Sequence, residues 1–206
     1  MMLLTLLNKL MKADTEVRKG IWLREENRGI ELQGKTVGII GFGNMGSAFA
    51  KKLSGFDVNI IAYDPYKTID TVEYPYIKQV SLVQLQKEAD IISLHVPLTT
   101  ETKYMINDTF INLCKKEIYI INTARGKCVN TADLVKHLKT GKVKGTCLDV
   151  HEYETSSFEK LETLPEPFEY LINSDKTILT PHIAGWTHES NKKIAEVLVK
   201  KIAQFS

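Results

Sequence analysis

Three absences narrow the class of this 206-residue chain. Cysteine is scarce: Cys114, Cys128 and Cys147 are an odd number without metal-ligand spacing, which argues against a disulfide framework or a thiolate metal site. They read as reduced thiols and predict a cytoplasmic protein with no bound metal. No apolar run approaches the roughly 18 residues that a membrane span needs. The opening Met-Met-Leu-Leu-Thr-Leu-Leu has no basic stretch ahead of it and no small-residue cleavage site behind it, so it does not read as a signal peptide. Neither sign of charge dominates. With 27 basic and 25 acidic residues the net charge is +2 and the lysines are scattered, which removes the usual argument for nucleic acid or an anionic membrane as partner. Internal repeats and low-complexity tracts are also missing. What is present, 43% hydrophobic and 25% charged residues, is ordinary for a folded domain with a sizeable core.

The apolar positions Leu3, Leu6, Leu7, Leu10 and Met11 follow helical spacing and predict an amphipathic helix over 2–19. From Gly34 onward, β-branched runs alternate with helical patterns. Strands are expected at Thr36–Ile40, Val58–Tyr63, Ile91–His95, Ile118–Asn122, Lys144–Val150 and Thr177–Thr180. Helices are expected near 44–54, 81–88, 107–114, 131–139 and 187–204. Ser81 with Gln84 has the capping-box spacing, and Gly55 and Gly141 stand where C-terminal caps belong. The strand runs are continuously apolar, as strands covered on both faces are. The expected fold is therefore α/β, a doubly wound, mainly parallel sheet with helices on both faces. Residues 151–176, with Pro165 and Pro167 among acidic and aromatic neighbours, read as a long surface connection. The chain divides into an N-terminal segment (1–33), an α/β domain (34–186) and a C-terminal helix (187–206).

Gly41-Phe42-Gly43-Asn44-Met45-Gly46 is G-x-G-x-x-G directly after an apolar strand and at the start of a helix. The first glycine permits a tight turn, the second lets backbone approach a pyrophosphate, and the third allows close helix–strand packing. The next strand ends in Tyr63-Asp64-Pro65, with Asp64 18 residues beyond Gly46. That is the place for a carboxylate that binds the adenosine ribose. Such a carboxylate repels a 2′-phosphate, so the expected cofactor is NAD rather than NADP, with Lys67 a small counterweight. The plainer reading is an incidental glycine turn on another α/β fold.

Ligands of a doubly wound sheet bind outside the carboxyl ends of its strands. His95 with Val96 and Pro97, Arg125 with Thr123 and Ala124, Asp149 with Glu154, and His182 all stand there. Hydride transfer to a 2-keto acid needs a cation to hold the substrate carboxylate, a proton donor for the carbonyl oxygen, and an acid that keeps the donor charged. Arg125, His182 and Glu154 supply one of each. Singly, each has a plain alternative: a salt-bridge arginine, a structural histidine, a solvated carboxylate. His137, in a predicted helix beside Lys136 and Lys139, reads as surface. His151 and His188 receive no role.

The ordered set Gly41–Gly46, Asp64, 94–99, Asn122–Gly126, Leu148-Asp149-Val150 and Thr180-Pro181-His182-Ile183-Ala184-Gly185 resembles the D-2-hydroxyacid dehydrogenases, which include D-3-phosphoglycerate, D-lactate, glyoxylate and formate dehydrogenases. The resemblance runs from about Leu3 to about Lys201. It implies that Arg125 orients the substrate, Glu154 is the acid partner and His182 the proton donor. It also implies that Asp149 and the backbone around Thr123 and Ala124 hold the nicotinamide carboxamide, with Ala184 and Gly185 beside it. The implied substrate is a small 2-hydroxy or 2-keto acid, 3-phosphoglycerate among the candidates. Those enzymes carry a substrate domain ahead of the cofactor domain, whereas this sequence opens on a segment like their interdomain crossover. Arg18-Lys19-Gly20-Ile21-Trp22 resembles their intersubunit arm and implies a homodimer, with ordinary core as the lesser alternative for Trp22. Two alternatives stay open: an NAD-responsive, non-catalytic binding module like the corepressors related to these enzymes, and another Rossmann enzyme of the adenosylhomocysteinase type.

Overall fold

A computed structural model describes residues 1–154 and 164–204. The chain opens with two short helices, α1 (Met2–Leu7) and α2 (Leu10–Arg18), and then enters the alternating part. In order this comprises β1 (Thr36–Ile40), α3 (Asn44–Leu53), β2 (Asn59–Tyr63), β3 (Ile77–Gln79), α4 (Leu82–Glu88), β4 (Ile91–Leu94) and α5 (Asp108–Leu113). It continues with β5 (Ile118–Asn122), α6 (Thr131–Thr140), β6 (Val143–Leu148), α7 (Glu166–Ile172), β7 (Thr177–Leu179) and α8 (His188–Ala203).

The seven strands form one sheet in the order β3-β2-β1-β4-β5-β6-β7, every neighbouring pair parallel. This is the doubly wound arrangement expected from continuously apolar strands. Two buried clusters sandwich the sheet. One joins Ile92, Leu94, Ile118 and Ile120 to α4, α5 and α6. The other joins Val37, Ile39, Ile60 and Ile121 to α1 and α3. Strand order reverses between β1 and β4, so the loops leaving their carboxyl ends part and open a crevice.

Several expectations need correction. The helix expected over 2–19 breaks at Lys9, whose backbone is left-handed (φ 50°). Leu3, Leu6 and Leu7 are buried against the chain's own core, while Leu10 and Met11 are exposed. The first part of the apolar stripe thus finds its cover within the domain. Gly55 is not the αL cap of α3: a 3-10 turn follows, and Asp57 takes the left-handed conformation (φ 52°). Gly141 does cap α6 (φ 82°). Ser81 accepts from the Gln84 N–H at 3.2 Å, one half of the expected box. The 151–176 connection contains α7, which starts immediately after Pro165. His137 is buried, its Nε2 2.9 Å from Asp108 Oδ1.

Candidate cofactor and catalytic site

The glycine turn is built by close approach. Gly41 has φ +90°, and a Cβ there would lie 2.6 Å from the His95 carbonyl oxygen. A Cβ on Gly46 would lie 2.1 Å from the Gly41 carbonyl oxygen, so α3 can seat on β1 only with glycine at that position. Gly43 differs. A Cβ there would meet nothing within 4 Å and would fill the open side of the turn, the cradle a pyrophosphate needs. Asn44 and Met45 begin α3 beside it, with the side chain of Met45 exposed. No side chain caps this helix start, as suits a helix start that receives an anion.

Asp64 ties the turn to the next strand. Its Oδ2 accepts from the Phe42 N–H at 2.8 Å, and its Oδ1 accepts from Tyr66 and Lys67 N–H at 2.9 and 3.0 Å. Three backbone donors fix the carboxylate at the end of β2. Lys67 Nζ lies over the Phe42 ring, 5.7 Å from its centroid. A cleft of about 560 Å³ opens here, walled by Gly41, Gly43, Tyr63, Asp64 and Pro65 on one side. His95, Val96, Pro97 and the following loop form the opposite wall. Tyr66 and Glu101 hydrogen-bond across its mouth, and the carboxylate pushes the Tyr66 phenol above its ordinary range. Neither residue carried a sequence signal, because both lie in irregular loops. His95 contacts Ser93 Oγ through Nε2 at 2.9 Å and packs on Phe49. Burial pushes its pKa down to about 4, so the ring is neutral at neutral pH.

The other half of the edge carries the candidate acid–base groups. Asn122, the last residue of β5, accepts the Ala124 N–H at 3.0 Å and donates to the Arg125 carbonyl at 2.9 Å. This shapes the Thr123–Arg125 turn and leaves the Arg125 side chain exposed. Beyond β6, Asp149 is 1% exposed and turned into the protein. Its Oδ1 accepts from Thr180 Oγ1 at 2.5 Å and from Ile183 N–H at 2.8 Å, while Oδ2 accepts from Ala184 N–H at 2.9 Å. Its carboxylate thus holds the 180–184 loop. That loop places His182 in the left-handed region (φ 55°), a conformation costing about 1 kcal/mol or more outside glycine. The Asp149 bonds, with His182 N–H to Asp149 O at 2.7 Å, over-determine it. His182 Nδ1 then lies 3.2 Å from Glu154 Oε2. The sheet edge therefore does bring together the pair read from sequence. Gly185 leads out of the loop, its carbonyl accepting from Ser190 Oγ at 2.7 Å.

These features have known counterparts. The family model for the NAD-binding domain of D-isomer-specific 2-hydroxyacid dehydrogenases matches residues 1–184. The chain belongs to that family. Glyoxylate reductase of Thermofilum pendens is 40% identical over 207 residues, covering 98% of this chain and 58% of that protein. D-3-phosphoglycerate dehydrogenase of Archaeoglobus fulgidus is 34% identical over 205 residues, all of this chain and 37% of the relative. Among solved structures, D-lactate dehydrogenase from Aquifex aeolicus, complexed with NAD and lactic acid, aligns with a TM-score of 0.85 at 37% identity. That alignment covers 98% of this chain and 63% of the other. The chain thus spans less than two thirds of the length of these relatives. As a member of this family it is an NAD-binding Rossmann domain, and the Gly43 cradle and the Asp64 carboxylate fit that group. No group of three or more metal-ligating side chains occurs among the described residues. No described helix is long and apolar enough to cross a membrane.

Proposed function

We propose that this chain is the cofactor-binding part of an NAD-dependent oxidoreductase acting on a small D-2-hydroxy acid or its 2-keto acid. The observation that carries the reading is the His182–Glu154 pair, held at 3.2 Å on the sheet edge that also bears Arg125 and the dinucleotide cleft. Bound NAD supplies the hydride chemistry. Gly41, Gly43, Asn44, Met45 and Gly46 would hold its pyrophosphate. Tyr63, Asp64, Pro65, His95, Val96 and Pro97 would enclose the adenosine, and Thr123, Ala124, Ala184 and Gly185 would stand beside the nicotinamide, with Asp149 bracing the 180–184 loop from within. Arg125 would bind the substrate carboxylate, and the His182 ring would move a proton at the substrate oxygen while Glu154 fixes its orientation. A built acid–base pair is superfluous in a non-catalytic sensor, so the enzyme reading is preferred. The relatives' names, glyoxylate reductase and D-3-phosphoglycerate dehydrogenase, support the substrate class. Three buried thiols, with burial pushing Cys147 up to about 12, support a reducing, cytoplasmic setting. The exposed Ile21, Trp22 and Leu23 support a homodimer.

Calorimetric titration with NADH and NADPH tests the cofactor part. The protein is expected to prefer NADH. Asp64→Ala should weaken NADH binding by about 10- to 150-fold, the equivalent of a lost charge-assisted hydrogen bond of about 1.5–3 kcal/mol. Equal affinity for the two cofactors, or an unchanged affinity in Asp64→Ala, would overturn the assignment.

A further inference from the structure

We infer that His151 is a positioning residue for the acid–base pair: its imidazole, donating to the Thr180 carbonyl, sets Glu154 and His182 in register. The inference rests on the reading of Glu154 and His182 above. His151 follows Asp149 and Val150 at the carboxyl end of β6, and it meets all three loops that carry candidate catalytic side chains. Its backbone N–H donates to Glu154 Oε1 at 2.5 Å, and its carbonyl accepts the Glu154 N–H at 3.2 Å. Glu154 is thereby curled back on its own loop, with Oε2 left for His182 Nδ1. Its carbonyl also packs on the backbone next to Arg125. A Cβ on Gly126 would lie 1.9 Å from the His151 oxygen, so the approach requires glycine there.

The side chain adds the link between loops. His151 Nε2 lies 3.0 Å from the Thr180 carbonyl oxygen, two residues before His182. A carbonyl oxygen only accepts, so Nε2 carries the proton. Nδ1 is buried without a hydrogen-bond partner, so Nε2 makes the one side-chain bond of the ring. The Phe168 ring of α7 packs against it, 5.3 Å between centroids at 74°, and holds the imidazole in this orientation. Two carboxylates on the same stretch make other contacts. Glu152 turns the other way, accepting from Thr131 N–H at 2.8 Å and from Tyr104 OH at 2.9 Å. Asp149 fixes the 180–184 loop to β6 but does not touch Glu154. Among the described residues, the stretch that carries Glu154 is tied to the His182 loop by the bonds of Asp149, by the His182–Glu154 contact and, between these, by the His151 side chain. The His151 bond thus adds a tie three residues before Glu154 on one loop and two before His182 on the other.

The test reads the tautomer of His182 by long-range ¹H–¹⁵N NMR on the labelled 206-residue chain. A carboxylate facing Nδ1 holds the neutral His182 ring in its Nδ1–H form. His151→Phe keeps a ring against Phe168 but removes the donor, and most of the His182 Nδ1–H population should be lost. His151→Gln places an amide N–H near the position of Nε2 and should restore it, which a merely space-filling role would not require. If His151→Phe does not fold, His151→Asn, too short to reach the Thr180 carbonyl, carries the same expectation. An unchanged His182 tautomer in the folded Phe or Asn variant, or loss in Gln equal to that in Phe, overturns the proposal. Glu154→Ala separates the two levels. If it too leaves the His182 tautomer unchanged, the acid–base pair itself is wrong. If it shifts the tautomer while His151→Phe does not, only the role of His151 falls.

Discussion

His95 shows what a single residue inherits from its neighbours. As a histidine at the end of a strand it was readable in the sequence as a cofactor contact. Its neutrality was not, because that depends on burial of the ring in the folded chain, where Phe49 of α3 packs against it. The consequence is measurable. The folded state depresses the pKa from 6.5 to about 4, so between those values the unfolded chain binds the extra proton. Stability is therefore full above about pH 6.5, declines as pH falls, and levels off below about 4. At pH 5 the loss from this group should be about 2 kcal/mol. His95→Gln should flatten that part of a denaturant-derived stability–pH curve. A wild-type curve with no decline from pH 7 to pH 5 would show that the ring is not desolvated in solution. Asp149 makes the same point about legibility. Its place after β6 was evident from sequence, but its burial and its three bonds to the 180–184 loop depend on a segment more than 30 positions away.

The strands of the central sheet were legible because parallel strands covered on both faces must be continuously apolar. β1 and β5 fall where the β-branched runs place them, and β2, β4, β6 and β7 differ by a residue or two at their ends. β3 escaped because three residues are too few for any period to show. α7 was hidden by Pro165 and Pro167, which look like loop formers yet are tolerated at a helix start, where N–H groups lack partners anyway. The break at Lys9 was invisible because the apolar spacing runs straight across it. Capping decides the firmness of α6, whose Asn130 side chain accepts the Asp133 N–H at 3.0 Å. Asn130→Ala should cost about 1 kcal/mol in urea unfolding. An Ala variant as stable as wild type would show that the cap contributes nothing. α8 lies at the other extreme, with no buried residue along 16 positions. A helix with so little packing is marginal in water. Its amides should exchange orders of magnitude faster than those of β5, and equal protection in the two would mean that α8 is covered in solution.

At the scale of the molecule, the candidate trio sits on one open edge. Arg125 is exposed and His182 only half-buried, so a small acid would meet them in water, where an exposed ion pair contributes roughly 0–1 kcal/mol. Fixed positioning of reactants can contribute about 7–11 kcal/mol toward a barrier. The 206-residue chain alone is therefore expected to bind NADH yet to turn over D-3-phosphoglycerate, D-lactate and D-glycerate far below the usual range of about 1–1000 per second. A steady-state assay that finds turnover within that range would show that this edge positions substrate unaided. The same chain should scatter light as a dimer at micromolar concentration, and Trp22→Ser should shift it toward monomer, because a tryptophan 79% exposed calls for a cover. A monomer mass for the wild type would reject that interface. The sheet also has two margins, β3 and β7, and each is only three residues long. A stray strand arriving at either margin finds a ladder too brief to template a stack. The longer strands, which could seed one, are each flanked on both sides by another strand, so the fold carries its own resistance to edge-on aggregation.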